Sequence, residues 1–234
     1  MSHCLSSTCP DCPMHQKHAF CNLPEDARAF LAANSVAMEY PRGTVVFREG
    51  DRCDAVVVLC SGKMKISASS REGRRMILRI AGGGSVLGLS AALAEKTHEA
   101  TAEALEPCRV RVLRKRSLEE LMEQYPQAAV AAAKTLADEY RAAFEEARRI
   151  ALPESPAGRL ACLLLDWVGR EREDHRTDTI TMSLTHDELA SMTATSRETV
   201  TRTLSRFRKD GLIQMRGVSL TVLQPQVLHQ ISAC

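Results

Sequence analysis

The chain has 234 residues, 44% hydrophobic and 26% charged, with a formal net charge of +2. That is enough for two small domains with real cores, and too little charge to argue for nucleic acid by itself. No apolar run reaches the roughly 18 residues of a membrane span, and residues 1–12 lack the apolar centre of a secretion signal. A cytoplasmic protein with no membrane partner is therefore expected.

Cysteine usage is the unusual part of the composition. Nine cysteines are many for a reducing compartment, where clustered thiols more often bind metal or do redox work than form structural disulfides. Cys4, Cys9, Cys12 and Cys21 fall in the first 21 residues. That stretch has no hydrophobic period and reads as an extended arm. Cys53, Cys60, Cys162 and Cys234 are scattered and read as small buried side chains.

After the arm, Leu23 and Pro24 open a short helix that runs to about Ala33. From Tyr40 to Arg114 the pattern is one of short strands. Val45–Phe47 form one, and Ala55–Leu59 is a continuous apolar run suited to a strand covered on both faces. Met64 and Ile66 alternate with polar residues, as do Met76, Leu78 and Ile80, and Val110, Val112 and Leu113 make a late strand. Glycines at 43, 50, 62, 73 and 82–84 punctuate these runs, which indicates a roll or sandwich.

Pro126 suits the first turn of a long helix that continues to Pro153. Within it Ala133, Ala137, Tyr140, Phe144, Ala147 and Ala151 recur at alternating spacings of four and three. This is a heptad seam, and it predicts a two-stranded coiled coil between subunits in preference to packing on the chain's own domain. Ser155 caps the next helix with Pro156 at its first position, and Leu160, Leu163, Leu164, Trp167 and Val168 form its apolar face. Residues 171–178, rich in charge, are predicted to be a solvated loop.

The strongest local signal spans Thr185 to Gly211. Thr185 with Glu188 three residues on makes a capping box, and Thr193, Ala194 and Thr195 make a turn. Ser196 then caps a second helix whose buried stripe is Val200, Leu204 and Phe207. Its other faces carry Arg197, Glu198, Thr201, Arg202, Ser205 and Arg208. Between Arg197 and Lys209 there are five basic residues and one acid. A helix-turn-helix needs such a face, because arginine bonds bidentately to guanine and glutamate accepts from cytosine. Ile213 and Ser219–Leu223, joined at Arg216-Gly217, add a two-stranded wing. No histidine set, phosphate loop or nucleophile elbow marks an enzyme: His98 is the single histidine between Tyr40 and Arg114.

Together these segments resemble the Crp/Fnr family of transcription regulators over residues 22–232. The run Thr195-Ser196-Arg197-Glu198-Thr199-Val200-Thr201-Arg202 is similar to their recognition helix. Pro41-Arg42-Gly43, Phe47 and Gly50-Asp51 resemble the opening of their effector roll, with Gly62, Gly82–Gly84 and Gly88 where that roll turns. The resemblance implies an α+β fold: arm 1–21, cyclic-nucleotide-binding-like β-roll 22–125, dimerisation helix 126–152 and winged helix-turn-helix domain 153–234. It also implies a homodimer on a two-fold symmetric site in double-stranded DNA, and RNA polymerase as a partner. Arg197, Glu198 and Arg202 match base-reading positions, with Ser196, Thr201 and Arg206 beside them, and half-sites containing TTGA or GTGA are expected.

The family's effectors differ, and the residues discriminate among them. Its cyclic-AMP branch carries a Glu after a Gly, and about ten residues on an Arg-Ser pair that holds the cyclic phosphate. Here Gly88 is followed by Leu89-Ser90, and the pair reads Glu99-Ala100, whose carboxylate repels a phosphate. The cysteines at spacings of two and eight resemble the arm of the Fnr-type oxygen sensors, which holds a [4Fe–4S] cluster. This implies a redox-, oxygen- or NO-responsive cluster on Cys9, Cys12, Cys21 and Cys4, with Cys108 as the alternative fourth ligand. Alignment without gaps puts the Fnr ligand position at Arg111, an odd step from Cys108 and so on the other strand face. Zinc on the arm's Cys, His15 and His18, haem or another small ligand in the roll, or a thiol switch without a cofactor remain open.

Overall fold

The computed structural model describes residues 19–73, 75–175, 179–181 and 184–232. Cys4, Cys9, Cys12, His15, His18 and Cys234 lie outside the described residues. The chain divides into two compact units, one ending at Ala142 and the other beginning at Ala143, with Arg74–Ile77 counted in the second.

In the first unit, Pro24 precedes α1 (Glu25–Asn34), whose first turn is acidic, as the positive end of a helix favours. The strands are β1 (Ser35–Tyr40), β2 (Val45–Phe47), β3 (Ala55–Ser61), β4 (Met64–Ser69), β5 (Arg75–Ala81) and β6 (Val86–Leu87). After α2 (Leu89–Leu93) come β7 (Thr101–Ala104), β8 (Cys108–Arg114) and the helices α3 (Lys115–Gln124) and α4 (Pro126–Ala151). The strands form two four-stranded sheets, in the orders β1-β8-β3-β6 and β2-β7-β4-β5.

The continuous apolar run of β3 has a simple cause. Its alternate side chains enter two different cores. Val56 and Val58 pack with Phe20, Leu23, Leu31, Leu118, Leu121 and the alanines of α4. Val57 and Leu59 pack with Met64, Ile66, Leu87, Val110 and Cys108 in the roll. β8 behaves alike, with Leu113 on the helix side and Cys108 and Val110 on the roll side. β1 carries no strand signal in the sequence: four of its six residues are exposed, so no alternating pattern marks it.

Gly62 turns β3 into β4 at φ +94°, and a Cβ there would sit 2.7 Å from both Cys108 Sγ and the Pro107 carbonyl oxygen. Gly62→Ala should therefore lower the unfolding free energy by about 2 kcal/mol. An unchanged urea midpoint would refute this.

α4 continues unbroken to the predicted end. Ala128, Ala131 and Ala132 are buried against the roll, whereas Ala133, Ala137, Tyr140, Phe144, Ala147 and Ala151 are all exposed. Val130, 55% exposed, extends this stripe by one more step toward the N-terminus. The seam does not pack on its own unit.

The second unit contains α5 (Pro156–His175), β9 (Thr179–Thr181), α6 (His186–Met192), α7 (Arg197–Lys209), β10 (Ile213–Arg216), β11 (Ser219–Val222) and α8 (Pro225–Ser232). The Ser155 hydroxyl accepts from the Gly158 N–H at 3.0 Å, as an N-cap should. One expectation is corrected: residues 171–175 continue α5 and are not loop. Glu and Arg are good helix formers, so a charged run is as compatible with helix as with loop. The wing pairs β10 with β11, and β9 adds a third strand to give the order β10-β11-β9.

Candidate nucleic-acid interface

The two helices α6 and α7 are built by their caps. The Thr185 hydroxyl accepts from the Glu188 N–H at 3.2 Å, and the Glu188 carboxylate accepts from the Thr185 N–H at 2.9 Å. Ser196 accepts from the Thr199 N–H at 3.2 Å to start α7. Between them Ala194 adopts φ +46°, a left-handed conformation that a side chain disfavours. Arg159 of α5 holds this turn, donating from Nε to the Thr193 carbonyl at 2.8 Å and from Nη2 to that of Ala194 at 3.4 Å. Sequence reasoning misses Arg159, which looks like any polar residue on a helix flank.

Val200, Thr203, Leu204 and Phe207 bury one side of α7. Ser196, Arg197, Glu198, Thr201, Arg202, Ser205, Arg206, Arg208 and Lys209 are all exposed. Arg202 has one long contact, to Thr199 Oγ1 at 3.5 Å, and is in no ion pair among the described residues. Arg197 lies 3.7 Å from Asp187, and Arg206 lies 3.6 Å from Asp210, both at exposed sites. Such exposed pairs are weak, so these guanidinium groups can be redirected to phosphates or bases. The carboxyl of Glu198 is held below the usual range by its own backbone N–H and by the Ser196 hydroxyl, so it stays an acceptor. His186, the first residue of α6, brings Nδ1 to 2.8 Å from Thr201 Oγ1.

The sensor positions lie in the first unit. Cys21 is half-buried in a turn anchored by Phe20 and Leu23, both buried in the helix-side core. Cys108 is 1% exposed on the roll side of β8 and donates to the carbonyls of Glu106 at 3.2 Å and Lys63 at 3.3 Å. Burial pushes its thiol pKa up, which disfavours a thiolate ligand. Arg111, one odd step along, donates from Nη1 to the Ala32 carbonyl at 3.2 Å and to Ser35 Oγ at 3.0 Å. It therefore ties β8 to the end of α1. The Cys108 side chain thus enters the core opposite the one that receives Phe20 and Leu23. Among the described residues, no group of three or more His, Cys, Asp or Glu could hold a metal ion.

At the position where a cyclic phosphate would need an arginine, Ser90 Oγ donates to the Glu99 carboxylate, 3.2 Å from each oxygen. Nearby, Arg79 of β5 pairs with Glu139 of α4 at 2.6 Å. Burial raises the Glu139 carboxyl pKa, Arg79 opposes this, and the charge of Glu99 adds to it. His98 is buried and stacked on Phe47, with centroids 3.8 Å apart, and burial lowers its pKa. Among the described residues, no helix is long and apolar enough to cross a membrane.

Comparison with known proteins gives two family matches, a cyclic nucleotide-binding domain over residues 37–125 and a Crp-like helix-turn-helix domain over residues 158–231. The chain is 26% identical over 204 residues to a CRP-like cAMP-activated global transcriptional regulator of Mycobacterium tuberculosis, covering 87% of this chain and 91% of that one. It is 27% identical over 186 residues to the transcriptional activator protein Anr of Pseudomonas protegens, covering 79% and 75%. The structure of FixK2 from Bradyrhizobium japonicum shares the fold, with a TM-score of 0.75 at 22% identity, covering 86% of this chain and 98% of that one.

Proposed function

The chain belongs to the Crp/Fnr family of DNA-binding transcription regulators, and from that premise we propose a cytoplasmic homodimer that reads a two-fold symmetric DNA site under the control of a [4Fe–4S] cluster. It is a regulator and not an enzyme. The observation that carries the DNA reading is α7, which buries one stripe and leaves Arg197, Glu198, Thr201, Arg202 and Arg206 exposed together. Its first residues enter the major groove and read base edges, and Arg206, Arg208 and Lys209 meet phosphates. The exposed seam of α4 supports the dimer, which sets the spacing of two half-sites. RNA polymerase is the partner through which the bound regulator acts.

For the sensor, the support is the donor set. Four thiols in the first 21 residues suit a [4Fe–4S] cluster on Cys9, Cys12, Cys21 and Cys4, and the burial of Cys108 on the roll side of β8 favours Cys4 over it as the fourth ligand. When bound, the cluster supplies a group whose oxidation state and integrity respond to oxygen or NO. Phe20 and Leu23 pack beside α4 in one core, so a change in how the arm is held bears on the dimer helix. Cyclic AMP is not proposed, because the Ser90–Glu99 pair puts a carboxylate where the phosphate would lie.

Protein purified without oxygen should contain about four iron and four sulfide per subunit and show a broad brown absorbance that bleaches in air. Cys21→Ser should lose the iron, and Cys108→Ser should keep it. A colourless protein with about one zinc would replace the cluster by a zinc arm. Iron lost from Cys108→Ser with native stability intact would restore Cys108 as a ligand.

A further inference from the structure

Thr201 makes two hydrogen bonds with one hydroxyl. Its Oγ1 lies 2.9 Å from the Arg197 carbonyl, one turn back along α7, and 2.8 Å from His186 Nδ1 at the start of α6. The carbonyl can only accept, so the single hydroxyl hydrogen goes to it, the usual arrangement for a helical Thr. Thr201 Oγ1 must then accept, and His186 must donate from Nδ1. This assignment satisfies both contacts, whereas the other tautomer leaves two acceptors facing each other at one contact or the other.

The hydrogen count has a chemical result. The Thr201 hydroxyl is held in one rotation, with its hydrogen on the Arg197 carbonyl and a lone pair on His186. Asp187 is 3.7 Å from Arg197, and Glu188 is taken up by the Thr185 cap. Two first-turn residues of α6 thus reach the exposed face of α7, His186 at Thr201 and Asp187 at Arg197.

We infer that His186 is a positioning residue for DNA reading, which orients Thr201 on the recognition helix. The inference rests on α7 being the DNA-reading helix. Loss of the His186 contact frees the Thr201 hydroxyl to rotate, so the face that α7 presents is less well ordered.

The test is fluorescence anisotropy at fixed pH and ionic strength, on full-length protein purified without oxygen. The probe is a duplex recovered from a random pool by the wild-type protein. His186→Asn keeps a donor at the Nδ1 position and should bind this duplex with near-wild-type preference over a scrambled one. His186→Ala and Thr201→Val remove the bond and should reduce that preference roughly fivefold per half-site, the equivalent of one hydrogen bond. Unchanged preference in His186→Ala, or a loss in His186→Asn as large as in His186→Ala, overturns the inference while leaving α7 as the reading helix. If the selection recovers no duplex, the DNA reading falls and this inference with it.

Discussion

Arg202→Ala should lose specific DNA binding while remaining a folded dimer. Arg202 is exposed on α7, with no acidic partner among the described residues and a single long contact to Thr199. Its removal leaves nothing buried unsatisfied, so the folded state should be little affected. A bidentate arginine–guanine pair contributes about 1–3 kcal/mol of discrimination per half-site. A two-fold site uses it twice, so the expected loss is roughly thirtyfold to more than ten-thousandfold. The measurement is a competition titration of the selected duplex against a scrambled one. The loss should appear on the selected duplex alone, since a base contact carries sequence information and a phosphate contact does not. Arg206→Ala should instead weaken both duplexes and flatten the salt dependence. If Arg202→Ala discriminates as well as wild type, α7 does not read bases through this residue.

Phe144→Glu should convert the dimer to monomers. Phe144 is 58% exposed and Tyr140 76% exposed on the same helix, in line with the small residues Ala133, Ala137, Ala147 and Ala151. Alanines let two helix backbones approach, and the aromatic pair supplies the apolar area. Near a two-fold axis, the substitution would place one carboxylate from each subunit in the same dry contact, and desolvation and repulsion both oppose that. The expected result in light scattering is a halved mass at concentrations where wild type is dimeric. Specific DNA affinity should fall with it, because two half-sites are no longer engaged at once. A persistent dimer would place the interface elsewhere than the seam.

Much of this is legible in the sequence because the residues that carry it act locally. The Thr185–Glu188 box and the Ser196 cap are chemical instructions within four residues, and both helices start where the caps put them. The apolar run Ala55–Leu59 foretells a strand buried on both faces, since each face has its own core. What escapes is either short or long-range. β9 has three residues and a pattern no window separates from a turn. β1 is exposed for most of its length and is made a strand by pairing with β8, from Ser35↔Leu113 to Tyr40↔Cys108. Residues 171–175 read as a loop because charge marks solvent exposure and not backbone geometry. Arg159 and His186 escape because their partners lie 34 and 15 residues away, and no spacing rule connects them. Arg149 belongs here too. Its position in the sequence puts it on the outer charged face of α4, yet it is 5% exposed and paired with Glu146 and with Asp166 of α5.

β8 serves as a partition as well as a strand. Cys108 and Val110 look into one chamber and Arg111 and Leu113 into the other. A molecule lodged in the roll and a change at the arm would press on opposite sides of the same wall. On the sensor reading proposed above, a change at the arm would reach α1 and α4 through the core of Phe20 and Leu23 without passing through the roll. A carboxylate at Glu99 would bear on the roll's chamber alone, and the helix-side chamber's contacts with α1 and α4 do not depend on it.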